Sequence, residues 1–276
     1  MSESNKVADH YSHGSLIATI EQGVVELGKT TESIGIDDLA LVDEFHIGGR
    51  QASTDFLDQL DLSDQDHVLD VGCGIGGASR FVANHYGPRV TGIDLTEEYI
   101  ETGRELCNWV GLEQLVSLQQ GSALHMPFAD QSFDHAYMMH VGMNIEDKAA
   151  LAAEVARVLK PGASFGIYDV MRITAGDLTF PVPWATTAQT SAVATPEDYE
   201  QSLVNAGFVI TAQRNRFEFS IQFFEQLRAK VAAAGGPPPL GLHLLMGDTA
   251  QLKVKNMLEN ISAGRVAPVE IIARKA

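Results

Sequence analysis

The sequence predicts an α/β fold: a mostly parallel seven-stranded sheet with helices on both faces and a helical cover. Three observations predict it. Strand-like apolar runs alternate with amphipathic helical stretches from about 67 to 214, and the connections between them are short. A last apolar run, Val266–Ala273, returns after an interruption. In chain order, the strand His67–Val71 enters a glycine-rich turn, and a helix is expected over Ala78–His85. The second strand, Arg89–Ile93, ends at Asp94, and Thr96 stands where it would cap a helix whose Tyr99, Ile100, Leu106 and Val110 keep helical spacing. Val116–Gln120 and Phe133–Met139 read as the third and fourth strands. A helix over Lys148–Leu159 is expected to stop at Lys160-Pro161-Gly162, ahead of a fifth strand, Ser164–Asp169. The stretch Pro181-Val-Pro-Trp184 then links to a helix over Pro196–Ala206 and a sixth strand, Phe208–Gln213.

Four segments follow. Residues 1–66 form an N-terminal helical cover, with Leu16, Ile17, Ile20, Val24 and Leu27 on one face. Residues 67–217 form the core. Residues 218–264 form a helical insertion broken at Gly235-Gly-Pro-Pro-Pro239, and 265–276 return to the sheet. In such a sheet ligands sit beyond the carboxyl ends of the strands, so Asp70 and Asp94 are placed for function and the two helical segments for covering it.

Composition narrows the function. With 276 residues and 45% hydrophobic content, the chain suits a globular enzyme with one substantial core. A formal net charge of −17 disfavours nucleic acid and anionic membrane surfaces as partners. The chain opens on the polar Met-Ser-Glu-Ser-Asn-Lys, and nowhere do eighteen apolar residues run together, so a cytoplasmic protein without membrane insertion is expected. Cys73 and Cys107 make no disulfide framework and no Cys/His cluster has zinc spacing, so no metal is expected.

The glycine turn carries the chemistry. Gly72, Gly74 and Gly77 spell G-x-G-x-x-G, a pattern that brings backbone close to a dinucleotide pyrophosphate at a helix N-terminus. Asp70, two residues before the first glycine, would repel that anion. It suits a cofactor with an ammonium and no phosphate, as S-adenosylmethionine (SAM) is. Cys73 reads as a small filler in the loop, because no basic partner is near it in sequence. Asp134 reads as structural, since it opens a strand.

Four motifs resemble class I SAM-dependent methyltransferases of the small-molecule type: Val68-Leu-Asp-Val-Gly-Cys-Gly-Ile-Gly-Gly77, Val90-Thr-Gly-Ile-Asp-Leu95, Met126-Pro-Phe-Ala-Asp-Gln-Ser-Phe-Asp134 and Ala156-Arg-Val-Leu-Lys-Pro-Gly-Ala163. They span roughly half the chain, in the order and at distances that suit the ubiquinone/menaquinone, tocopherol and sarcosine/dimethylglycine methyltransferases. The resemblance implies a Rossmann-like fold and SAM as cofactor, with S-adenosyl-L-homocysteine as product. It implies that Asp70, Gly72, Cys73 and Gly74 surround the methionine part, that Asp94 meets the ribose and that Leu95 lies against the adenine. Many relatives carry an aspartate after the third strand; here Gly121-Ser-Ala123 stands there, leaving Ser122 or Ala123 for the adenine. His140 and Val141 would lie beside the sulfonium and the acceptor.

On the acceptor side, Tyr11 is a candidate lid, His46 a group to orient or deprotonate the acceptor, Arg50 an anchor for a carboxylate and Trp184 a pocket wall. His46 and His140 are the catalytic candidates. His243 and Met246 are assigned to the cover, and Arg228 and Lys230 to solvated helix surface. Methyl transfer to a small-molecule acceptor by in-line displacement is the leading function. A small polar amine is slightly favoured, and C-methylation of a quinone- or tocopherol-like or secondary-metabolite ring is the alternative. A zwitterion would need a charged anchor such as Arg50 inside the pocket, whereas an isoprenoid ring would need a long greasy channel. A NAD-dependent oxidoreductase and a non-catalytic SAM-binding regulator are the readings from other classes. A homodimer remains open.

Overall fold

The computed structural model describes residues 16–276. Seven strands form one sheet in the order β3-β2-β1-β4-β5-β7-β6. They are β1 (His67–Val71), β2 (Arg89–Asp94), β3 (Val116–Gln120), β4 (Phe133–Met139), β5 (Leu159–Arg172), β6 (Phe208–Asn215) and β7 (Val266–Lys275). The strands from β3 to β5 run parallel, and β7 inserts antiparallel between β5 and β6. The strand order reverses between β1 and β4, the point where such sheets open a crevice at their carboxyl ends. No helix among the described residues is long and apolar enough to cross a membrane.

The core helices are α4 (Gly77–Tyr86), α5 (Glu97–Trp109), α6 (Lys148–Val158) and α7 (Pro196–Asn205). Thr195 caps α7 by accepting from the Asp198 N–H, with Pro196 in the first turn, where a missing N–H costs nothing. Thr96 holds the N-cap position of α5, but its side chain caps no helix N–H. Its own N–H instead donates to Asp94 Oδ1 at 2.9 Å.

One strand, β5, outruns the sequence pattern at both ends. β5 starts at Leu159, not Ser164, because Leu159 already pairs with Phe133. Lys160-Pro161-Gly162 is taken up in a register shift, with Gly162 at φ +79°, so it ends the helix without making a loop. At its other end β5 continues to Arg172 because β7 supplies a partner as far as Val266.

The cover comes from both flanks. Helices α1 (Leu16–Glu26) and α2 (Ile36–Asp43) pack Leu16, Ile20, Val24, Leu39 and Val42 against Leu240 and Leu245. Helices α8 (Phe217–Ala234) and α10 (Ala250–Ser262), joined through the single turn α9 (His243–Met246), enclose a second cluster with Ile47, Met143, Val170 and Trp184. A further helix, α3 (Gly49–Leu57), sends Phe56 and Leu57 onto the sheet beside Tyr168.

Candidate active site

The strand ends and the cover enclose a cavity of about 1810 Å³ that reaches from Asp70 and Asp94 to Met257 and Leu258. Asp70 is buried at the end of β1. Its Oδ2 accepts the Ser79 hydroxyl at 2.6 Å and the Tyr137 hydroxyl at 3.0 Å. Burial pushes its pKa up to about 7 against those two hydrogen bonds, and the neighbouring Asp94 adds to the rise. Asp94 is also pushed up by burial. It accepts the Gly74 N–H and the Thr96 N–H, both at 2.9 Å. A buried and a half-buried carboxylate that both resist ionising make a site that favours a cation.

The turn between them is poorly suited to phosphate. The N–H groups of Gly72 and Cys73 both go to the Ile93 carbonyl, that of Gly74 goes to Asp94 and that of Gly76 to the Cys73 carbonyl. The N-terminus of α4 is covered by Asp43, whose carbonyl oxygen would stand 2.3 Å from a Cβ at Gly77. Asp43 is paired with the fully buried Arg80, and Arg80 also donates to the carbonyls of Ile75 and Gly103. With four N–H groups of the turn taken and Asp43 at the helix start, these described residues disfavour a pyrophosphate there. An ammonium beside Asp70 and a neutral nucleoside beside Asp94 fit the residues present.

Gly72 sits at φ +75°, and a Cβ on it would lie 2.4 Å from Val141 Cγ1, so turn and β4 end are packed to contact. Cys73, Gly74, Leu95, Ser122, Ala123, His140 and Val141 line the same end of the cavity. Burial raises the Cys73 thiol well above its usual range, which keeps it an unreactive filler. Ser122 Oγ accepts the Leu124 N–H at 3.2 Å, and its own proton stays available to a ligand. Asp134 is structural: it accepts from the His67 N–H at 3.0 Å and from Lys160 at 2.6 Å.

The two histidines part company. His140, at φ +56°, spends both ring nitrogens on backbone. Nε2 accepts the Ile47 N–H and Nδ1–H faces the Tyr168 carbonyl, each at 3.3 Å. Burial drives its pKa down to about 3. Tyr168 donates to the Ile47 carbonyl at 2.7 Å, so His140 and Tyr168 together bolt the cover to the sheet. The catalytic role expected for His140 therefore gives way to a structural one, because its lone pair is already in use. His46 also lines the cavity, and its Nε2 lies among Ser53 Oγ, Glu44 Oε2 and the Gly49 carbonyl at 3.0, 3.3 and 3.3 Å.

Arg50 does not line this cavity. Its Nε lies 2.9 Å from Glu44 Oε1 and its guanidinium stacks 4.3 Å over Phe81, so it is engaged with Glu44 and not turned to a ligand in the cavity. Trp184 is both wall and anchor: it lines the cavity, is 2% exposed and donates Nε1–H to Ser191 Oγ at 2.9 Å. Tyr11 lies outside the described residues. His243 and Met246 line the cavity, as does Arg228, while Lys230 does not. The residues missed in sequence are the buried partners Glu44 and Ser53 and the apolar wall of Met143, Phe223, Phe224 and Leu245. The aromatic run Phe217-Glu-Phe-Ser-Ile-Gln-Phe-Phe224 was the available signal for that wall.

Residues 69–167 match the model of a methyltransferase domain. Over 169 residues the chain is 32% identical to the methyltransferase GfsG of Streptomyces halstedii, covering 61% of this chain and 59% of GfsG. It is 35% identical over 113 residues to a glycine/sarcosine/dimethylglycine N-methyltransferase of Actinopolyspora halophila, covering 41% and 20%. The chain thus spans less than two thirds of the length of these relatives. Geranyl diphosphate C-methyltransferase from Streptomyces coelicolor A3(2), solved with Mg2+, geranyl diphosphate and S-adenosyl-L-homocysteine, superposes with a TM-score of 0.72 at 18% identity, covering 100% of this chain and 98% of that one. Residues 69–167 are thus similar to a methyltransferase domain, and the chain shares the fold of that S-adenosyl-L-homocysteine-bound C-methyltransferase.

Proposed function

We propose that this protein transfers the methyl group of SAM, by in-line displacement, to a large and predominantly apolar small molecule. The size and character of the cavity carry the reading. A ligand site typically occupies ~300–1,000 Å³, and this one holds about 1810 Å³, room for a nucleoside cofactor and a second molecule that is not small. The wall away from Asp70 is made of Met143, Trp184, Phe224, Leu245, Met257 and Leu258, and its basic residues, Arg228 and Lys255, are exposed. The charged anchor that a small zwitterion needs is lacking at Arg50, which weighs against the amine acceptor favoured from sequence. The N-methyltransferase relative leaves that acceptor in play as the competing outcome.

In this reading Asp70 holds the ammonium, Asp94 the ribose hydroxyls, Leu95 with Ser122 or Ala123 the adenine, and Gly72, Cys73 and Gly74 the methionine backbone. SAM supplies a methyl group already activated on a cationic sulfur. The chain's contribution is alignment and the exclusion of water by the apolar cover. Calorimetric titration of the purified chain with SAM and with NAD tests the cofactor end; binding of NAD alone would end the reading. Turnover is then followed as S-adenosyl-L-homocysteine release with a long-chain alkylhydroquinone, a sterol and dimethylglycine. The apolar probes are expected to react, and methylation of dimethylglycine alone would replace the apolar acceptor with the amine.

A further inference from the structure

We infer that His46 is the proton acceptor of this cavity and that the molecule methylated is an apolar compound whose reacting atom is an acidic hydroxyl, a phenol or enol. The inference rests on the methyl-transfer reading above and adds the atom methylated.

The ring's surroundings fix where its proton sits. The Gly49 carbonyl and the Glu44 carboxylate can only accept, and Ser53 has given its proton to Glu44 Oε2 at 2.6 Å, so Ser53 Oγ also faces His46 as an acceptor. Nε2 therefore carries the hydrogen and Nδ1 the lone pair. Nδ1 has no hydrogen-bond partner among the described residues, and the ring lines the cavity. His140, with ring centroid 6.0 Å away, has the opposite tautomer and no spare lone pair. Of these two neighbouring imidazoles, only His46 can take a proton from a bound molecule.

The charges around it support the same role. Glu44 is 6% exposed and touches His46 and Ser53 on one side and Arg50 on the other. Burying such a group is expensive, and apolar side chains of similar volume would fill the space at lower cost. A carboxylate behind a histidine keeps its tautomer and stabilises the imidazolium that forms when a proton arrives. Burial holds His46 below the ordinary histidine range, with Glu44 acting against that and Arg50 with it, so the lone pair is available at neutral pH. The facing titratable and charged groups are Glu44, Arg50, His140 and Tyr168, whose ring stands edge-on 6.1 Å away.

The balance is simple. The acceptor oxygen forms a bond to the methyl carbon as the carbon–sulfur bond breaks, and its proton passes to Nδ1. The products are a methyl ether, S-adenosyl-L-homocysteine and a protonated His46, which returns the proton to solvent. A neutral amine would need no such base before attack.

Two experiments on the full chain decide this. In 15N-histidine NMR of the free protein at pH 7, the resonances lost in His46→Gln are expected to report an N–H at Nε2 and an unprotonated Nδ1. An N–H at Nδ1, or an imidazolium, overturns the assignment whatever the acceptor. With SAM and two probes, a long-chain 4-alkylphenol and the matching alkylamine, the phenol is expected to be O-methylated. His46→Gln should then lower kcat by about 10²- to 10⁴-fold and flatten the rise of kcat with pH, with the SAM Kd unchanged within about threefold. A variant kcat within about threefold of wild type, methylation of the amine and not the phenol, or turnover of neither overturns the inference. Failure to bind SAM at all would strike the methyl-transfer reading and leave the NMR result standing.

Discussion

At the β1–β2 end of the cavity, Asp70, Gly72, Gly74 and Asp94 lie within 25 residues of one another, and each polar group is held by a neighbour on the sheet or its first loops. At the far end, Ile47, Met143, Trp184, Phe224 and Met257 come from five separate parts of the chain and meet through apolar contact. The first arrangement is satisfied point by point and selects one ligand. The second tolerates exchange of apolar volume, so long as the space stays filled or usefully empty. One fold can thus hold a fixed cofactor and present a wall open to change. The buried Arg80–Asp43 pair joins the two, since Arg80 belongs to the helix after the glycine turn and Asp43 to the cover.

The comparison breaks most visibly at that joint. Arg80→Met leaves the Asp43 carboxylate buried without a partner, and breaking such a pair typically costs about 3–5 kcal/mol. Denaturant unfolding should show a loss of that size, and Asp43→Leu added to Arg80→Met should restore most of it. If Arg80→Met alone unfolds like wild type, the two halves are not coupled there.

A smaller effect is expected at the cofactor end alone. Asp94→Asn keeps one of the two acceptor oxygens and loses the charge, setting an amide NH2 against either the Gly74 or the Thr96 N–H, and hydrogen bonds to a charged group contribute about 1.5–3 kcal/mol each. The SAM Kd should weaken by roughly 10- to 100-fold by calorimetry, with a smaller loss of stability from the one displaced N–H. Alanine is the poorer probe, because it would strand the N–H groups of both Gly74 and Thr96, where asparagine displaces one. Unchanged affinity in the asparagine variant would remove Asp94 from the site.

Asp70 sets a pH dependence at the same end. Its folded pKa, about 7, stands above the ordinary aspartate value of about 3.9. The native state therefore binds more protons than the unfolded one between these values, and stability falls as pH rises through that window. SAM binding runs the other way, because its ammonium favours the ionised carboxylate. The Kd measured by calorimetry should tighten from pH 6 to 7.5 with release of a proton, and Asp70→Asn should abolish the trend. A pH-independent Kd in the wild type would show that the ammonium is not held there.

The smallest change is expected on the acceptor wall's rim. Leu227 lines the cavity and is 39% exposed, so Leu227→Gln should move stability by no more than about 0.5 kcal/mol. SAM affinity should stay as it is and only the KM for an apolar acceptor should rise. A loss of SAM affinity would show that the two ends are not separate.

Much of the cofactor end was legible in the sequence because its logic is local. The turn follows directly on β1, Asp94 ends the next strand, and an acid before the first glycine disfavours phosphate whatever surrounds it. The wall resisted reading because an apolar residue in a helix buries its face equally well against a core or a cavity, as Phe224 and Trp184 do at once. Arg50 and His140 misled for a related reason: an arginine near a glycine pair and a histidine at a strand end look free until their partners are known. Glu44 claims the first, and the Ile47 N–H, 93 residues away, claims the second.

The sequence by itself determined the alternation of strand and helix, the phosphate-disfavouring turn and the acids at the strand ends, since residue periods of 2 and 3.6 and near-neighbour electrostatics act over a few residues. Only the tertiary structure decided how far β5 runs, which histidine keeps a lone pair and how large the acceptor space is. Those depend on contacts between segments far apart in the chain, and a buried polar atom takes its role from whichever group reaches it first.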